Sequence, residues 1–223
     1  MKYAKPLYKT VLATLCLSAC ALAYAQSAGN LSVRIGATQL KPAGASEDLS
    51  APTLPGSKIQ ASTETGLTGG LTYMVTDNVA VDMPLGLGFK IDLMGAGNVS
   101  GTGKLGDVKA LPITLLTQYR FMAPTAAFRP YVGAGLTYAY FYDTNGTAAL
   151  STMTGGRPTT FKVGSKLAPS LQLGAVFAVN DKWFVEASLI KTMLKNRTTL
   201  STGNTVDYKI NPTALNFAVG YRY

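Results

Sequence analysis

Apolar side chains recur at every second position through most of this chain, and within each segment the parity holds. Leu31, Val33, Ile35 and Ala37 alternate with Ser32, Arg34, Gly36 and Thr38, and Leu67, Leu71, Tyr73 and Val75 oppose Gly66, Thr68, Gly70 and Thr72. The longest run sets Val79, Val81, Met83, Leu85, Leu87, Phe89, Ile91 and Leu93 on one face and Ala80, Asp82, Pro84, Lys90 and Asp92 on the other. Similar segments follow at 113–121, 132–142, 171–179 and 183–189. In the last segment Leu215, Phe217, Val219, Tyr221 and Tyr223 face one way and Asn216, Gly220 and Arg222 the other. A period of two marks strands whose faces meet different media. About eight strands are predicted.

The connections alternate in length. "TDN" near 77, "APTAAFRP" near 126 and "NDK" near 181 are short, whereas 40–60, 95–108, 143–166 and 195–210 are long and rich in Gly, Ser, Thr and Asn. Short turns on one side and long loops on the other, with an even strand count, are the layout of an outer-membrane barrel. In lipid an open sheet edge leaves N–H and C=O groups without partners, so the first strand must pair with the last. "FAVGYRY", on which the sequence stops, is the expected closing strand. Tyr73, Tyr119, Phe121, Tyr131, Trp183, Tyr221 and Tyr223 are expected in one interfacial girdle, with Phe89, Tyr138, Tyr140 and Tyr142 in a second towards the long loops. A soluble sandwich or lipocalin-like barrel would turn the greasy faces inward and put the charges outside, leaving no recess for a ligand. The expected fold is all-β: a closed eight-stranded antiparallel transmembrane β-barrel with short periplasmic turns and long extracellular loops.

The amino terminus fits that setting. Lys2, Lys5 and Lys9 precede the apolar run "TVLATLCLSACALAYA", which reads as a secretory signal covering 1–25, with the barrel over 26–223. "LSAC" offers the alternative of a lipoprotein site in which Cys20 becomes the lipidated first residue. Cleavage after Ala25 removes both cysteines and lowers the formal charge from +9 to +6. After residue 25 no apolar run approaches the roughly 18 residues that a spanning helix needs. The scattered basic residues are weak evidence for nucleic acid, and none is expected as a partner.

The chain contains no histidine, which argues against Ser-His-Asp chemistry. With both cysteines in the signal and the acidic residues scattered, no metal or other cofactor is expected. "GAGNVSG" (95–101) follows a strand but opens no helix, so it reads as a loop and not as a dinucleotide cradle.

"TYMVTDNVAVD", "LPITLLTQYRF", "FRPYVGAGLTYAYFYD", "ND.WFV" and the terminal "FAVGYRY" resemble, in order along the whole mature chain, the OmpW family of small outer-membrane proteins. The resemblance implies an eight-stranded barrel with a narrow, largely apolar channel, associated with passage of small hydrophobic molecules across the outer membrane.

Arg34, Asp82, Lys90, Asp92, Arg120, Glu186 and Arg222 are expected inside the barrel, either paired so that they plug it or lining an aqueous ion path. Pairing is the default, because side chains nearly fill a barrel of about eight strands. Pro84, flanked by glycines, deletes a ladder hydrogen bond, which makes it either a bulge or a gap through which an apolar solute leaves sideways. Pro169 is a similar weakness. Leu116, Phe141, Leu167, Val176 and Phe184 are candidates to line the route or simply to fill the lumen. Phe217, Tyr221 and Tyr223, with Trp183, form the terminal aromatic strand and its interface, where the barrel-assembly machinery is the expected partner. Two readings of function follow. One is a passive conduit for a small hydrophobic solute. The other is a non-conducting structural or adhesive protein whose Arg157, Lys162, Lys166, Lys195 and Arg197 bind lipopolysaccharide or host polyanions.

Overall fold

The computed structural model describes residues 27–44, 46–48, 55–156 and 158–223. The signal segment, Cys20 and Arg157 lie outside them. In chain order the strands are β1 (Leu31–Lys41), β2 (Ser57–Ala61), β3 (Glu64–Met74), β4 (Val79–Gly86), β5 (Phe89–Gly97), β6 (Lys104–Arg120) and β7 (Phe128–Gly146). A short helix α1 (Ala148–Met153) is followed by β8 (Phe161–Val163), β9 (Lys166–Ala178), β10 (Trp183–Thr192), β11 (Lys195–Leu200), β12 (Thr205–Lys209) and β13 (Thr213–Arg222).

Eight of these close a ring in the order β1, β3, β4, β6, β7, β9, β10, β13, every pairing antiparallel. First and last wall strands meet from Ser32 opposite Arg222 to Lys41 opposite Thr213. The expected eight-stranded closed barrel is the fold observed. Its outer face carries the alternating apolar set, with Ile35, Leu67, Leu115, Leu173 and Phe217 all exposed, as a wall in lipid requires.

The long run from 79 to 93 is not one strand. β4 keeps the expected parity, with Ala80 and Asp82 buried and Val81 and Leu85 exposed. Gly88 then adopts φ +89, a left-handed conformation in which a β-carbon is strained. After this kink Phe89, Ile91 and Leu93 are buried. Sequence parity had put Phe89 in the outer girdle and Lys90 and Asp92 in the lumen; all three are on the opposite face, because one irregular residue inverts every later side chain. Lys90 and Asp92 belong to an ion cluster on the outer wall, where Lys104 reaches Asp92 at 2.7 Å and Asp107 at 2.9 Å, and Lys90 reaches Asp107 at 3.9 Å.

The long loops are also more ordered than their composition predicts. β2 pairs with β5, which extends the wall along the upper part of β6, and β8, β11 and β12 form a separate three-stranded sheet. Helix α1 is capped by the Thr147 hydroxyl, which accepts from the Leu150 N–H, and it buries Leu150 against Phe161, Leu200 and Val206. These extracellular elements surround an apolar core continuous with the lumen.

Candidate functional site: the lumen and a seam in its wall

Inward residues sort into tiers. The periplasmic tier is polar and closed. Arg34 makes a two-pronged contact with Asp82 at 2.6 and 3.0 Å, also donates to Thr72 at 2.7 Å, and lies 3.6 Å from Glu186. Thr72 donates to Asp82 at 2.6 Å, and the Tyr131 hydroxyl donates to Glu186 at 2.8 Å. Arg120 donates to Gln118 at 3.2 and 3.0 Å and stacks over Tyr131, while Gln118 donates to Gln172 at 2.9 Å. Arg222 lies over the Phe184 ring at 5.1 Å. Asp82 is 0 % and Arg120 2 % exposed, so this tier is a packed floor. Its position beside a short turn points to the outer girdle for Tyr131, and that expectation is corrected: its ring is buried in the floor with Val176 and Phe184, on the inward parity of Gly133 and Gly135.

Above the floor, hydroxyls satisfy one another around the wall. Thr114, Thr137, Ser170 and Thr192 form a chain with spacings of 2.9, 2.7 and 2.9 Å, and Thr38, Thr68 and Asn216 form a second group. Groups that bond each other present little unsatisfied polarity to the space above them, the Asn216 Oδ1, which has no partner, being the exception. That space is a cavity of about 100 Å³ lined by Leu40, Phe89, Ala139, Phe141 and Leu194 among others. A second apolar cavity of about 50 Å³ follows towards the extracellular side, between Ile59, Leu105, Leu150, Phe161 and Val206. Pro42, Ile91, Phe141 and Ile210 line both and form the neck between them.

The lower cavity touches the wall where the wall is incomplete. β4 and β6 pair only from Val79 opposite Tyr119 to Asp82 opposite Leu116. Pairing with β6 resumes at Phe89 opposite Ala110, in a register shifted by one residue. Between these points 83–88 have no ladder partner on β6. Pro84 explains where the ladder stops. The Arg120 N–H donates to the Asn78 carbonyl at 2.7 Å, so alternate positions 78, 80 and 82 turn their backbone groups towards β6, and 84 comes next. Proline has no N–H to place there. Pro84, Leu85 and Gly86 all line the cavity.

The sequence-derived lining residues fall in different places. Phe141 lines both cavities. Leu116 is buried between the floor and the hydroxyl tier, next to Asp82 in register. Val176 and Phe184 point inward but belong to the floor. Leu167 is 56 % exposed on the outer wall, because it shares the parity of Leu171 and Leu173; its place among inward residues is corrected. The lining from Leu40, Ile210 and Pro212 went unread, since these residues sit in or beside stretches taken as loops. Trp183, Tyr221 and Tyr223 stack edge to face near the periplasmic turns, and Phe217 faces outward on β13. Of the basic loop residues, Lys162, Lys166 and Lys195 are exposed, and Arg197 is held by Asp207 at 2.7 Å.

Comparison with known proteins agrees with this architecture. Outer membrane protein W of Vibrio cholerae serotype O1 is 32 % identical over 95 % of this chain and 97 % of its own length. A dibenzothiophene metabolism operon protein, PahQ, of Pseudomonas aeruginosa is 29 % identical over 73 % of this chain and 72 % of its own length. The crystal structure of the outer membrane protein OprG of Pseudomonas aeruginosa superposes with a TM-score of 0.80 at 24 % identity, covering 89 % of this chain and 98 % of that one. Residues 27–223 match the OmpW family throughout. With the closed barrel and its lipid-facing wall, these likenesses establish that the chain belongs to the OmpW family and is an integral protein of the outer membrane.

Proposed function

We propose that this barrel is a passive conduit that admits small apolar solutes from outside and releases them sideways into the membrane through the seam at Pro84. The observation that carries the reading is the coincidence of three features at one height: an apolar cavity, a sealed polar floor beneath it, and an unpaired stretch of wall at its side. A solute descending from the extracellular cavity meets the Arg34–Asp82–Glu186 network, where leaving water and apolar surroundings for a closed ionic layer is unfavourable. The side exit leads to hydrocarbon, into which an apolar molecule partitions without energy coupling. A relative whose name ties it to dibenzothiophene metabolism supports an apolar aromatic as one suitable solute.

Uptake of a labelled apolar compound such as naphthalene into proteoliposomes tests the reading. Pro84→Val supplies the missing N–H and is expected to lower uptake several-fold while leaving the barrel folded. Unchanged uptake in a folded Pro84→Val barrel would refute the side exit, and absence of uptake in the parent protein would refute the conduit itself.

A further inference from the structure

A second seam lies between β9 and β10, further from the periplasmic turns, and repeats the chemistry of the first. The β9–β10 ladder ends at Ser170 opposite Thr192. The next position in register sets Met193 opposite Pro169, and the Met193 N–H donates to the Pro169 carbonyl at 2.9 Å. A regular ladder would return a bond from 169 to 193, but proline has no N–H to give. Beyond this point β11 turns away to pair with β12 and β8, and the outer end of β9 keeps only its β7 partners, from Ala168 opposite Thr137 to Lys166 opposite Ala139.

On the outer wall this leaves an open depression of about 450 Å³ beside Leu167, Pro169 and Met193. Leu167 and Met193, 56 % and 50 % exposed, line its apolar side, and Lys166, Lys195 and Asn211 form its polar rim. Among the described residues Leu194 alone lines both this depression and the lumen cavity. Its side chain is buried against Ala139, Ala168, Phe141 and Ile210, and the Asn211 N–H holds its carbonyl at 3.0 Å. Leu194, packed on Ala168, therefore separates the lumen from the outer depression at a place where the ladder has already ended. We propose that Leu194 is the gate of a second side portal, through which the lumen cavity communicates with apolar molecules dissolved in the outer leaflet.

The proposal rests on the conduit reading for its use but not for its existence, and two measurements separate them. In a Trp183→Phe, Ile210→Trp chain the sole tryptophan sits in the lumen against Leu194. In vesicles of brominated phosphatidylcholine, adding Leu194→Ala is expected to raise quenching of that tryptophan at least twofold, and adding Leu194→Phe to leave it no higher than before. Equal quenching with Leu194→Ala, in barrels shown folded by heat-dependent gel mobility, would overturn the portal whatever the transport result. In naphthalene uptake, Leu194→Ala added to Pro84→Val is expected to recover at least half of the uptake that Pro84→Val removes. No recovery would refute passage by this route. If the parent protein takes up nothing, the conduit reading fails, and the quenching result alone decides whether the seam opens to lipid.

Discussion

Gly70 shows how closely the floor is fitted. A β-carbon built there would come within 2.5 Å of the Arg34 guanidinium carbon, so the space this glycine leaves is the space that lets Arg34 reach Asp82. Gly70→Val is expected to push the guanidinium off its carboxylate partner and to cost about 3 kcal/mol, because a buried charge that loses its partner is expensive. Urea unfolding of the barrel in lipid vesicles measures this, and a loss below about 1 kcal/mol would show that Glu186 and Thr72 compensate. Asp82→Asn is expected to destabilise less than Gly70→Val, since it keeps the shape of the site and one hydrogen-bond acceptor. At this scale the sequence was a fair guide where strands are regular: Arg34, Asp82, Arg120, Glu186 and Arg222 all sit at inward positions and are buried. Leu167 does not join them, because it continues the outward parity of Leu171 and Leu173. Tyr131 failed because an aromatic beside a short turn resembles a girdle residue, while its hydroxyl bond to Glu186 leaves no trace in the pattern.

The elements divide into those the alternation specifies and those it does not. Wall strands have one face in lipid and one in the lumen, which imprints the period of two. Strands of the extracellular extension show that contrast unevenly: β5 carries it in Phe89, Ile91 and Leu93, whereas β11 does not. β11, "KNRTTL", is polar on both faces of its sequence and reads as a loop, yet it pairs with β12 from Lys195 opposite Lys209 to Thr199 opposite Thr205. Part of its order comes from Arg197, whose guanidinium donates twice to Asp207 at 2.7 Å. Those hydrogen bonds hold the Asp207 carboxyl below its ordinary pKa. A depressed carboxyl stabilises the fold fully above its unfolded value, about 3.9, and the contribution disappears as pH falls through the lower folded value. The β11–β12 hairpin is therefore expected to resist an acid-tolerant protease equally at pH 7 and pH 5 and to become more cleavable towards pH 3. Arg197→Gln should remove that dependence, and an unchanged profile would show that the ion pair contributes nothing to the hairpin.

For the whole molecule, the proposed conduit depends on closure and blockage together. The floor joins side chains from β1, β3, β4, β6, β7, β9 and β10, so an ion has to displace a hydrogen-bonded layer to reach the periplasm. Planar-bilayer recordings are expected to show little ion conductance from preparations that take up naphthalene, and steady porin-like currents in folded protein would contradict a sealed floor. Length, the period of two and the alternation of short and long connections determined the barrel by themselves, because lipid imposes the same in-and-out contrast on every wall strand and forbids an open edge. Both prolines were visible as interruptions. Only the tertiary structure decided which ladder bonds those interruptions remove, because the direction of a missing donor depends on which neighbour that residue faces. The kink at Gly88, which turns Phe89 and Ile91 into the lumen and sends Lys90 and Asp92 out, was likewise decided in three dimensions. A parity argument carries across a strand but not across a residue that breaks it.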